Sequence, residues 1–168
     1  VLSESPLPHI PQLPDRGVGS DLIGRTAALL EIPIAPGPRG WRVAARKRAD
    51  ADRMERDLDH LEELWHGKVD TVKVQLAGPF TLAAEIEMAN GHRMITDAGA
   101  LRDLTDALLE VCVGHRRDVE KRFGASVLQL DEPRLPEVVA GTLQGATNFE
   151  TIRAIPEPEE TLARFGEH

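Results

Sequence analysis

The chain is predicted to be an α/β domain forming part of a (β/α)8 barrel, and three observations predict it. Strand-like stretches alternate with helix-like stretches, the pattern of a parallel sheet covered by helices. The run Val127-Leu-Gln-Leu-Asp131-Glu132-Pro133 alternates with period two and ends in two carboxylates and a proline. A strand that stops at an acid, just before a helix, is the usual βα build that carries chemistry at its C-terminal end. Finally, each main strand has one polar face: Lys73 and Gln75 on the first, Gln129 and Asp131 on the second. Pressed against covering helices, such groups would go unpaired at a cost of about 1–3 kcal/mol each. A barrel lumen, polar toward its mouth, accommodates them. A complete barrel needs about 200 residues or more, and 168 supply only part of one. The expectation is a single domain over residues 1–168, the N-terminal to middle portion of a barrel cut at both ends.

Pro6, Pro8, Pro11 and Pro14 keep residues 1–18 extended and block any helix there. Ser20 or Asp21 can cap a helix with the face Leu22/Ile23, Ala27 and Leu30, which Pro33, Pro36 and Pro38 end. Residues 41–45, Trp-Arg-Val-Ala-Ala, fit a short strand or an ordered loop equally well. From Asp50 to Trp65, Met54, Leu58, Leu61 and Leu64/Trp65 keep helical spacing, and the charge run 46–57 is a solvated face.

Residues 72–76 form the first clear strand, with Val72, Val74 and Leu76 facing one way and Lys73, Gln75 and Ala77 the other. Gly78-Pro79 opens a helix expected to run to Asn90-Gly91. A longer helix starts at a cap, Thr96 or Asp97, and ends at Gly124. Its stripe is Leu101, Leu104, Leu108, Val111/Cys112, His115, Val119 and Phe123. The strand 126–131 follows, then one or two helical turns over 135–139, a strand over 151–155 and a helix over 156–165.

Composition narrows the function classes. With 41% hydrophobic and 29% charged residues the chain reads as an ordinary globular protein. A net charge of −8, with acids spread through the helices, argues against a nucleic-acid or anionic-membrane partner. No apolar run approaches the ~20 residues of a membrane span. Cys112 is the lone cysteine, so no internal disulfide forms and a cytoplasmic location is expected.

Four segments carry a resemblance: Gly24-Arg25, Gly40-Trp41-Arg42, residues 73–83 (KVQLAGPFTLA) and residues 129–136 (QLDEPRLP). In this order they resemble the cobalamin-independent methionine synthase family, in particular its short single-barrel members. The wider superfamily also contains uroporphyrinogen decarboxylase. The resemblance implies a methyltransferase that forms methionine by moving a methyl group from 5-methyltetrahydrofolate to homocysteine. It implies a zinc ion that binds the homocysteine thiol, with ligands expected beyond residue 168, so that this portion alone is expected to be inactive. It also implies that Asp131 contacts the amino-acid substrate and that Glu137 stands where relatives use an acid near the folate. At Glu85, longer relatives place an aromatic for the pterin.

The residues themselves leave several roles open. Asp131 and Glu132 are either a cap for the next short helix or a ligand contact. Gln75 and Gly78 line a pocket, or Gly78 only serves the turn. Trp41 and Arg42 touch a ligand's carboxylates or cover the barrel bottom. Cys112 reads as a buried structural thiol rather than a ligand, and His115 shares its stripe without the further ligands a metal needs. His66 and His92 sit beside glycines at helix ends, and His168 closes the chain. No metal ligand is assigned. The alternatives are a uroporphyrinogen decarboxylase-like enzyme, which would grip an acidic substrate with arginines, or a non-catalytic binding domain derived from the barrel. The expected partners are homocysteine and a methylated folate, with a methylated corrinoid protein open as donor. Exposed strand edges favour pairing with a second copy as a homodimer.

Overall fold

A computed structural model describes residues 5–46, 51–145, 147 and 150–166. The proline-rich entry is extended until Pro14–Arg16, which close a single 3-10 turn. That turn departs from the expectation of no helix, because Pro14 opens it at a position where no N–H is needed. Residues 1–4 lie outside the described residues. Helix α1 (Leu22–Leu29) is capped by Asp21, whose carboxylate accepts the Gly24 N–H at 2.9 Å.

The prolines expected only to end α1 instead build a hairpin, β1 (Ile34–Gly37) and β2 (Gly40–Val43). Pro36 is tolerated because β1 lies at the edge of its sheet, where a missing N–H faces outward. The open choice at Trp41 is thereby settled as a strand.

Helix α2 (Ala51–Trp65) leads to β3 (Thr71–Ala77). Helix α3 (Pro79–Glu85) stops earlier than its apolar pattern suggests. The chain turns extended at Ile86 so that β4 (Ile86–Glu87) pairs in parallel with Trp41 and Arg42 of β2. Tertiary pairing overrides helix continuation here. Helix α4 (Ala98–Phe123) is capped by Asp97, which accepts the Ala100 N–H at 2.8 Å. Gly124 ends it at φ 100°, and any Cβ there would sit 2.7 Å from the Asp70 carbonyl oxygen. β5 (Ala125–Asp131), α5 (Leu135–Ala140) and the short α6 (Glu159–Ala163) complete the chain.

The strand expected over 151–155 is not formed: only Thr151 bridges, antiparallel to Gln144. Ile152 and Ile155 instead anchor an irregular segment singly, their N–H groups donating to Leu143 and Val138 carbonyls. Each also points an apolar side chain into the core. The helix expected over 156–165 shrinks to α6 because Pro156 and Pro158 stand before it.

β3 and β5 pair in parallel from Thr71↔Ala125 to Ala77↔Asp131. On its other side β3 takes up the entry segment, with a parallel bridge at His9↔Lys73. Three parallel segments thus lie side by side, and among the described residues they do not close into a barrel. Val72, Val74, Leu76, Leu128 and Leu130 share the face covered by α1 and α4. The stripe expected for α4 is buried against it at Leu104, Leu108, Cys112, His115, Val119 and Phe123. A second cluster gathers Ile10, Met54, Leu58, Trp65, Val72, Val74, Val119 and Phe123, with Trp65 and Phe123 edge to face at 5.9 Å. The opposite face, bearing Lys73, Gln75, Gln129 and Asp131, lies open, with Val127 in its midst 44% exposed. No helix among the described residues is long and apolar enough to cross a membrane.

Candidate functional site

The pleat decides which side chains meet. Because β3 and β5 are parallel and in register, Gln75 faces Gln129 on the open side, and Asp131 stands opposite Ala77, which is itself fully buried. Gln12, from the entry segment, donates through Nε2 to Gln75 Oε1 at 3.1 Å, so three glutamines form a row across three neighbouring segments. Lys73 Nζ donates to Gln129 Oε1 at 3.0 Å, and Gln129 Nε2 donates to Asp131 Oδ1 at 2.6 Å. Asp131 is half-buried at the C-terminal end of β5, where parallel strands present chemistry.

The next residue turns the other way. Glu132 reaches across to the N-terminus of α3, where its carboxylate accepts the Phe80 N–H at 2.9 Å and the Thr81 N–H at 2.7 Å. It therefore satisfies a helix that precedes it by fifty residues, not the short helix that follows, whose own start has no side-chain cap. Burial raises the Glu132 carboxyl above its ordinary range, against the bonds from Thr81 and Phe80 that favour the ionised form. Gly78 supplies the room: a Cβ there would lie 2.3 Å from Glu132 Oε1. Its own N–H donates to the Asp131 carbonyl at 2.9 Å, tying the two strand ends together.

Beyond this turn, Arg134 binds Glu85 through Nε and donates to Glu137 Oε2 at 3.0 Å. Its backbone N–H donates to Thr81 Oγ1 at 3.2 Å. Glu85 and Glu137 are thus linked by one guanidinium, whose own proton is held more firmly by the bond to Glu85. Trp41 stands apart in the other sheet. Its ring is buried against Gly24, and its indole N–H donates to Asp21 Oδ1 at 3.1 Å. Asp21 therefore serves both the helix cap and the tryptophan.

Of the residues expected to form a site, Gln75, Gly78, Asp131 and Glu132 meet at the strand ends, with Glu137 one turn further. Sequence reasoning passed over Gln12, Gln129 and Arg134 as site residues. Gln129 was legible from strand alternation. Gln12 was not, since a proline-rich stretch gives no strand signal.

Among the described residues, no three of His, Cys, Asp and Glu converge in a way that could hold a metal ion. Cys112 is buried, and burial pushes its thiol up to about 12. His115, one turn on, is pushed down to about 4, first by burial. His66 and His92 are exposed, and His168 lies outside the described residues.

Over residues 58–150, more than half of the chain, the sequence matches the family described as cobalamin-independent synthase, catalytic domain. That span holds β3, α3, α4 and β5 and hence the strand-end constellation. No curated protein and no solved structure matches the chain.

Proposed function

The chain belongs to the family of cobalamin-independent synthase catalytic domains, and from that premise we propose that it contributes the amino-acid end of a methionine-forming methyltransferase site. The proposed reaction moves a methyl group from a methylated folate to homocysteine. The new bond is sulfur to methyl; the methyl–nitrogen bond breaks with its electron pair left on the folate nitrogen, which ends up carrying the proton that the thiol gives up. The entry segment, β3 and β5 are proposed as successive staves of a (β/α)8 wall, with their polar face turned into the lumen.

One observation carries this reading: Asp131 stands at the strand end with Oδ1 held by Gln129, while no bond to Oδ2 occurs among the described residues. A half-buried carboxylate in that position suits a substrate ammonium, because charge-assisted hydrogen bonds are the strong ones. Gln75 and Gln12 extend the polar floor beside it. Glu137, linked through Arg134 to Glu85, is proposed on the donor side. Glu132, Gly78 and Trp41 hold the frame: the first two join α3 to the strand ends, and the third packs β2 on α1.

Zinc, which such chemistry uses to turn the homocysteine thiol into a thiolate, does not fit the described residues. Cys112 is a protonated thiol inside the core, and His115 is buried beside it on the same helix without the further ligands required.

A decarboxylase acting on an acidic substrate is disfavoured by the cations near the site. Lys73 is engaged by Gln129, and Arg134 by two carboxylates. The test is calorimetric titration of homocysteine into the protein and its Asp131→Asn variant. Loss of the charge should weaken binding by about one to two powers of ten. Unchanged affinity would show that Asp131 does not hold the substrate.

A further inference from the structure

The open face carries a directed chain of hydrogen bonds, from Lys73 through Gln129 to Asp131. Lys73 sits opposite Val127, which places Gln129 diagonally ahead of it, within reach of a long side chain. An ammonium group only donates, so it selects the oxygen end of the Gln129 amide. An ionised carboxylate only accepts, so it selects the nitrogen end. Between these partners the amide has one orientation that satisfies both bonds. The reverse would set donor against donor and acceptor against acceptor.

We propose that Lys73 is a positioning residue for Asp131, acting through the Gln129 amide to hold one carboxylate oxygen and leave the other toward a substrate ammonium. The proposal rests on the reading of Asp131 as the amino-acid anchor. The interposed amide is what makes the device useful. A lysine in direct contact with Asp131 would neutralise it and compete with an incoming ammonium. Among the described residues no ion pair joins Lys73 to Asp131. Passed through the amide, the lysine charge instead polarises the N–H that grips Oδ1. Gln75, in register with Gln129 and held by Gln12, flanks the amide from the neighbouring strand.

The experiment compares Lys73→Met, Lys73→Arg, Asp131→Asn and the Lys73→Met/Asp131→Asn pair. Homocysteine affinity is read together with the Gln129 side-chain amide resonance in glutamine-labelled protein, assigned by its loss in Gln129→Leu. Lys73→Met should weaken homocysteine binding about three- to tenfold, shift the Gln129 amide resonance and speed its proton exchange. Lys73→Arg should restore both readouts, since arginine also only donates. In the Asp131→Asn background Lys73→Met should cost no further affinity. The proposal is overturned if Lys73→Met leaves the Gln129 amide unmoved, or if its affinity loss persists undiminished beside Asp131→Asn. Should Asp131→Asn by itself leave binding unchanged, the anchor reading falls. The Gln129 amide then decides by itself whether Lys73 orders the carboxylate.

Discussion

The Glu132 carboxylate occupies the space that a side chain on Gly78 would fill. The clash distance is 2.3 Å, while the Gly78 backbone, at φ −78°, is one that any residue adopts. The glycine is required by its neighbour rather than by its own conformation. Gly78→Ala should therefore push the carboxylate off the α3 N-terminus and destabilise the protein by about 1–3 kcal/mol. Urea denaturation measures the loss. In a Glu132→Ala background the same substitution should cost much less, and equal costs in both backgrounds would refute the coupling.

Glu132 also gives a pH signature of unusual sign. Its carboxyl is raised in the folded protein above the ordinary value of 4.5, chiefly by burial. Between the ordinary and the raised value the folded state binds more protons than the unfolded one. This group's contribution to stability therefore falls as pH rises through that window. Glu132→Gln should remove that slope from the stability profile, and a profile of unchanged slope would contradict the assignment.

His115 behaves in the opposite sense. Burial holds it near 4 in place of 6.5, with Asp118 opposing and Arg25 adding to the shift. The unfolded chain takes up a proton first, so stability present above about pH 6.5 drains away as pH falls through about 4. The shift corresponds to about 3 kcal/mol. His115→Leu should flatten the thermal-stability profile across that window.

Arg122 gathers Glu55, Asp59 and Glu62 of α2 and Asp118 of α4 around one guanidinium. Removing it leaves four carboxylates facing one another across the α2–α4 contact. The carboxylates are partly solvated, which weakens each pair. Arg122→Met should destabilise by about 1–3 kcal/mol, and added salt should recover part of the loss by screening the repulsion. A loss that does not change with salt would point to packing of the side chain instead.

Cys112 should be inert in the folded protein. The thiolate is the reactive species, and a thiol raised to about 12 yields very little of it at neutral pH. Alkylation should be slow in native buffer and fast in denaturant. Cys112→Ser should leave metal content and homocysteine affinity unchanged, and loss of bound zinc in that variant would place the thiol in a metal site.

The sequence by itself determined the periods. The two-residue pleat of 72–76 and 126–131 and the helical stripe from Leu101 to Phe123 depend only on local backbone geometry. The split into an apolar and a polar face therefore followed before any neighbour was known. Asp97 and Gly124 as the ends of α4 were legible for the same reason. What tertiary structure decided was the partner of each polar group. Gln12 reaches Gln75 across 63 positions, Glu132 turns back to α3, and Trp41 donates its indole hydrogen bond to Asp21. The hairpin through Pro36, the early end of α3 and the missing strand near 152 were decided in the same way. In each case long-range burial had to satisfy backbone and side-chain polar groups at once, and a local pattern does not carry that constraint.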